Sequence, residues 1–179
     1  LVPRRTTMRR FTKLIKSLNN KMTHNEHVLF IDSRFSESTS NVDFSVIFNK
    51  STTANTHFGG YPTQVFKNVT SVELTAISMN AYPSLTDENY VVLDIDELNN
   101  RMHSNVPEVN QSFAVVYTDR ATDQKSYKGH DFDIKQISFD PPMSSLSRLT
   151  IKLKNPMTRE VIEDHGKTTF IFKIKTVVK

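Results

Sequence analysis

A chain of 179 residues without cysteine excludes disulfides, thiolate catalysis, thiolate-bound zinc and iron–sulfur clusters. It is long enough for one self-sufficient domain plus an arm. The formal net charge of +4 is unevenly spread: residues 1–24 carry Arg4, Arg5, Arg9, Arg10, Lys13, Lys16 and Lys21 and no acid, which leaves 16 of the 23 basic residues against 19 acidic ones in residues 25–179. The basicity belongs to an N-terminal arm rather than to the domain that follows.

The chain starts at Leu rather than Met, and Leu1-Val2-Pro3-Arg4 has the look of a protease-site remnant. We therefore expect that residues have been lost upstream. No apolar core with a small-residue cleavage site follows, so no signal peptide is expected, and no apolar run approaches the 18 residues of a membrane span. Within the arm, Phe11, Leu14, Ile15, Leu18 and Met22 recur at the spacing of one helical face, opposite Arg9, Lys13 and Lys16. This predicts a basic amphipathic helix over residues 6–22, in an arm spanning 1–24.

From there on the pattern is β. Val28 to Ser33 is a short apolar run. Val42, Phe44, Val46 and Phe48 alternate with Asp43, Ser45 and Ile47, which predicts a half-buried strand. Thr52 to Thr63, with Gly59-Gly60 and Pro62, reads as a loop. Val65 to Asn80 reads as a long strand with Val72, Leu74 and Ala76 on one face and Glu73, Thr75 and Ile77 on the other. Tyr90 to Ile95 turns Val91, Leu93 and Ile95 one way and Asp94 the other. Glu97 to Gln111 reads as a long polar loop, with a helical turn at Asp96 to Met102; its length and polarity make Leu98 to Gln111 the outward-facing loop we expect.

Phe113, Val115 and Tyr117 alternate next, then Asp119 to Asp123 turns the chain. A return strand at Ser126 to Lys128 and a strand at Phe132 to Phe139 are expected, with Pro141-Pro142 as a stop. The closing segment is the clearest. Leu149, Ile151 and Leu153 alternate with Thr150, Lys152 and Lys154, Asn155-Pro156 breaks the run, and Phe170, Phe172 and Ile174 then face one way with Lys173 and Lys175 opposite. The 12 Phe and absent Trp predict a core of Phe, Val, Ile and Leu. About eight antiparallel strands without helices between them make residues 25–179 one all-β, eight-stranded jelly-roll sandwich.

No catalytic motif emerges. The four glycines, Gly59, Gly60, Gly129 and Gly166, build no phosphate loop, dinucleotide fingerprint or nucleophile elbow. His24 and His27, the cluster His130, Asp131 and Asp133, and His165 beside Glu163 and Asp164 have no spacing that forces metal ligands to converge, and they read as surface or turn residues. Asp94 and Asp96 would share a strand face about 7 Å apart, close to the carboxylate separation of an inverting glycosidase. With Glu97 beside them, they form the same geometry that any acidic outer face of a half-buried strand gives, and the solvated face is the reading we favour. The sequons at Asn49, Asn68 and Asn110 carry little weight without a secretion signal. No cofactor, metal or catalytic residue is expected.

The arm is the local feature with a functional reading. Arg9, Arg10, Phe11, Lys13, Leu14, Ile15 and Leu18 could dock on a protein partner, pack on the chain's own sandwich, or lie on an anionic membrane or nucleic acid. The sandwich itself is slightly acidic and has no aromatic-plus-basic strand face, so sequence-specific nucleic-acid binding is not expected.

Three segments carry a resemblance: Val69-Thr70-Ser71-Val72-Glu73-Leu74, Tyr90-Val91-Val92-Leu93-Asp94-Ile95, and the run from Pro142 through Ser147-Arg148-Leu149-Thr150-Ile151-Lys152-Leu153 to Pro156, with Phe170, Phe172 and Ile174 as the final Phe-rich strand. Over residues 65–179 the chain resembles the single jelly-roll capsid proteins, the minor capsid and penton class, of large icosahedral DNA viruses of the nucleocytoplasmic type. The resemblance implies a structural virion protein, made into capsids in the host cytoplasm, with no catalytic residues. It implies a pentamer at the five-fold vertex whose partners are itself, the major capsid protein and other minor capsid proteins. The arm would reach beneath neighbouring capsomers or toward an inner viral membrane. The competing readings are a minor cement protein between major capsomers, a carbohydrate- or receptor-binding sandwich, for which Tyr61, Tyr82 and Tyr90 are too scattered, and a glycosidase working through Asp94 and Asp96.

Overall fold

Alternating apolar side chains can leave water only if two sheets bury their inner faces against each other. The computed structural model of the chain describes residues 23–36, 42–48, 64–80, 90–98, 103–107, 109–110, 112–117, 124–128, 132–133, 136–158, 160–162 and 167–178. The strands are β1 (Thr23–Asp32), β2 (Asp43–Ile47), β3 (Phe66–Asn80), β4 (Tyr90–Ile95), β5 (Ala114–Tyr117), β6 (Gln124–Lys128), β7 (Phe132–Asp133), β8 (Gln136–Leu146), β9 (Arg148–Lys154) and β10 (Thr168–Val178). One sheet runs β1-β10-β3-β6, with β8 also paired to β3, and the other runs β2-β9-β4-β5-β7. Every pairing is antiparallel. The described residues form an all-β sandwich.

The core lies between the sheets. Leu29, Ile31, Val72, Leu74, Phe170, Phe172 and Ile174 come from the first sheet, and Phe44, Val91, Leu93, Ile95, Leu149, Ile151 and Leu153 from the second. Aromatic contacts bridge the gap. Phe44 meets Phe170 at a centroid distance of 6.1 Å, Phe113 meets Phe172 edge-on at 6.1 Å, and Phe48 meets Phe66 at 5.3 Å. Phe170 and Phe172 stack on each other at 6.0 Å. Such pairs add to the burial of their large apolar surfaces.

Strand β3 departs from simple alternation, and its threonines explain why. Ala76 and Leu74 pair with the adjacent residues Ile171 and Phe172 of β10, so Thr75 is extra. The bulge reverses the phase of the side chains. Leu74 and Ile77 are both buried while Ala76 is not, which corrects the expected placement of Ala76 inward and Ile77 outward. A second bulge leaves Thr70 unpaired between Ser71↔Lys175 and Val69↔Thr176. Each bulged threonine donates its hydroxyl to a carbonyl of β10, Thr75 to Ile171 at 2.9 Å and Thr70 to Lys175 at 3.2 Å. Asn68 just before has a φ of 51°, a left-handed conformation that asparagine tolerates better than most residues.

Other boundaries differ from the sequence reading for identifiable reasons. The first strand is not Val28 to Ser33: it opens at Thr23, inside the expected arm, because Thr23 and His24 pair with Val178 and Val177. It ends at Asp32, whose carboxylate caps a 3-10 turn over Ser33–Phe35 by accepting from the Arg34 amide. The expected strand Phe132 to Phe139 is two strands in different sheets, which with β6 brings the described strands to ten rather than eight. Pro141-Pro142 does not end β8. Residues Phe139 to Pro142 stand opposite Thr70 alone, between Ser138↔Ser71 and Met143↔Val69, so neither proline has to donate to the ladder. Asn155 does end β9: its Oδ1 accepts from the amides of Met157 and Thr158 at 2.7 and 3.1 Å, closing a turn.

Replacement of the fully buried Phe172 by alanine is expected to cost about 3–5 kcal/mol of unfolding free energy, measured by urea denaturation. A cost under about 1 kcal/mol would mean that Phe172 does not join the two sheets as described.

Candidate assembly surfaces

The interaction residues expected from the sequence, Arg9, Arg10, Phe11, Lys13, Leu14, Ile15 and Leu18, and the helical arm they belong to, lie outside the described residues. So do His130, His165 and Asn49, and residues 99–102, 108 and 111 of the expected outward loop. The surfaces that can be read are the two outer sheet faces and the sheet edges.

The outer face of the second sheet brings together the acidic residues that suggested a carboxylate pair, and it neutralises each of them. Asp94 Oδ2 accepts from Lys154 Nζ at 2.7 Å, and Asp96 Oδ2 from Lys152 Nζ at 2.7 Å. Glu97 accepts from Arg148 Nε at 2.8 Å, from the Thr150 hydroxyl at 2.8 Å and from the Thr150 amide. The register explains the pattern. Asp94 sits directly opposite Lys152, yet each acid reaches a β9 lysine displaced along the strand, so the charges interleave as a cross-strand ladder. The hydrogen bond to Asp96 raises the Lys152 pKa above its ordinary value; burial opposes it, and the charges of Asp96, Asp43 and Asp94 add to it.

Above this ladder the polar loop predicted for residues 97–111 makes an apolar contact. Val106 and Val109 pack with Tyr90 on Val92 and Val115, forming a small second core outside the sandwich. The hydroxyl of buried Ser112 donates to the Val109 carbonyl at 2.8 Å, and Asn110 Oδ1 accepts from the Ser104 amide at 2.7 Å. Leu98 is also buried. This part of the expected outward loop is therefore a lid on the sheet.

Histidines and depressions are unremarkable chemically. Among the described residues no group of three or more His, Asp or Glu side chains converges as a metal site requires. His27 is half-buried, its ring 5.2 Å from that of Phe66 and its Nε2 3.3 Å from Thr176 Oγ1. Open depressions among the described residues include one of about 590 Å³ lined by Phe48, Met143 and Leu146 beside Arg148, and one of about 540 Å³ among His24, Glu26, Ser138 and Lys175. No described helix is long and apolar enough to cross a membrane.

The feature that sequence reasoning missed is the first strand. Leu29 and Ile31 of β1 are buried, but Val28 and Phe30, between them, are 70% and 61% exposed. Opposite Phe30 on β10 stands the half-buried Ile171. The available signal was an apolar run without period-two alternation, Val28-Leu29-Phe30-Ile31, which places apolar groups on both faces of a strand. At its end Asp32 accepts from Arg34 Nε at 2.9 and 3.1 Å. These hydrogen bonds hold its carboxyl below the ordinary value of 3.8, against the opposing effect of burial.

Two outcomes test this description. Asp94→Ala should change stability by no more than about 1 kcal/mol, as ion pairs that keep contact with water do, whereas Glu97→Ala should cost about 1–3 kcal/mol because it strands the Thr150 donors. Equal effects in chemical denaturation would contradict the assigned contacts. For Asp32, whose folded pKa is lowered, the stabilisation is complete above pH 3.8 and is lost as pH falls through the folded value. The stability difference between the native chain and Asp32→Asn should therefore shrink below that pH; a difference that stays constant down to pH 2 would contradict the assignment.

No protein-family model and no curated protein sequence matches the chain.

Proposed function

We propose that the chain is a single jelly-roll structural protein of an icosahedral virion, acting as a penton at the five-fold vertex. The observation that carries this reading is the nesting of its strand pairs. The first strand lies against the last, β1 on β10; β2 lies against β9, β3 against β8, and β4 against β5. A long antiparallel ribbon of four such pairs, wound so that alternate pairs fall in opposite sheets, is the jelly-roll plan. The two sheets do alternate in this way: the pairs β1/β10 and β3/β8 share one, and β2/β9 and β4/β5 share the other.

The winding joins the sequence resemblance over residues 65–179, whose segments fall on β3, β4, β8, β9 and β10. The ion-paired state of Asp94, Asp96 and Glu97 argues against the glycosidase alternative. In the penton reading the chain pairs with itself in a ring of heterologous contacts that closes on five copies. The major capsid protein and other minor capsid proteins are its neighbours, and the basic arm of residues 1–22 reaches them or an inner membrane.

The test is native mass by light scattering, for the full chain and for a chain lacking residues 1–22. The cut must precede Thr23, because β1 begins there. A five-fold multiple is the expected result, reduced to monomer without the arm if the arm is the assembly device. A monomer in both cases would turn the assignment to the cement-protein alternative or to a binding module.

A further inference from the structure

A β-strand at the edge of a sheet presents a row of unpaired backbone donors and acceptors, and natural proteins blunt such edges with prolines, lysines, bulges or short length. The described edges of this sandwich follow that rule with one exception. β2 has five residues and β7 two. β6 has five, including Lys125 and Lys128, and β8 carries the Pro141-Pro142 bulge. β1 is ten residues long, contains neither proline nor lysine, and pairs regularly with β10 along its whole length. Among the described residues no strand pairs with its other edge.

The exposed side chains of β1 agree with its open backbone. Val28 and Phe30 stand 70% and 61% exposed on the outer face, beside Ile171. A partner must therefore supply an extended strand and an apolar outer face at once. Among the described strands, the one with those properties is β1 itself.

We propose that two copies of the chain pair antiparallel through β1, about a two-fold axis at Leu29. This register sets Val28 of each copy opposite Phe30 of the other on the outer face. On the inner face it sets Leu29 opposite its counterpart and His27 opposite Ile31, extending both apolar layers without a break in alternation. Glu26 then meets Asp32, which is already held by Arg34, so the facing group is an ion pair and not a bare carboxylate. The isologous contact joins two sandwiches into one continuous sheet. It is independent of the five-fold ring and would join two rings, or two lone chains, equally well.

The chain has no cysteine, so introduced thiols report without background. Val28→Cys and Phe30→Cys change exposed positions and are expected to leave the fold intact, which a melting curve checks. The proposal expects mild oxidation of a mixture of the two variants to give disulfide dimers at least tenfold faster than either variant alone, because each pairs position 28 with position 30. It also expects Phe30→Lys to lower the dimer population at least tenfold in sedimentation. No enrichment in the mixture, or faster cross-linking of Val28→Cys alone, overturns it. So does mixed cross-linking that arises only after removal of residues 1–22, since the arm would then be the cover of β1. A five-fold mass without the mixed cross-link sinks the β1 pairing and leaves the vertex reading intact; the cross-link without a five-fold mass does the reverse.

Discussion

The structure depends on the ladder between β3 and β10. β10 sits inside the first sheet with β1 on one side and β3 on the other, and it sends Phe170, Phe172 and Ile174 into the core with no exposure. β3 must follow it for most of its fifteen residues while also serving β8 with its first half and β6 with its second. A perfectly regular ladder would put one set of β3 side chains inward throughout. The bulges at Thr70 and Thr75 change that phase twice, which is how Val69, Val72, Leu74 and Ile77 can all be buried. The threonine hydroxyls occupy β10 carbonyls at the bulges, where an unmet acceptor beside the core would carry a desolvation cost.

The two outer faces treat water differently. On the second sheet, charges from β4 and β9 interleave, and the loop carrying Val106 and Val109 covers the apolar remainder. On the first sheet, the Lys173–Glu26 contact at 3.4 Å gives way along β1 to the uncovered Val28 and Phe30. The second face is finished within the described chain. The first keeps Val28 and Phe30 exposed among the described residues.

How much of this the sequence disclosed follows from what each signal encodes. Strict alternation marked β2, β4 and β9 closely, because a half-buried strand writes its two environments onto alternate residues. It misled in β3, where a bulge is a hydrogen-bonding event that Thr70 and Thr75 do not announce among other polar residues. Prolines misled in β8, since Pro141 and Pro142 stop a ladder only if their nitrogens are asked to donate. Thr23 and His24 looked like arm because edge residues need no apolar side chains to pair through their backbones. At the candidate surface, the sequence displayed Asp94 and Asp96 but not their lysines, for cross-strand register joins residues far apart in the chain. The exposed apolar pair on β1 was hidden inside a run that looked like core.

The nesting of the strand pairs also has a consequence for biosynthesis. Thr23 is matched with Val178, so β1 waits for β10 before its sheet can close. Until β10 has been made, β1 and β3 lack the strand that lies between them. Long-range pairing of this kind folds slowly and leaves apolar strands open to the wrong partners meanwhile. A nascent chain of this design commits to its fold only once β10 has emerged, and folding helpers that hold the earlier strands apart until then would matter to it most.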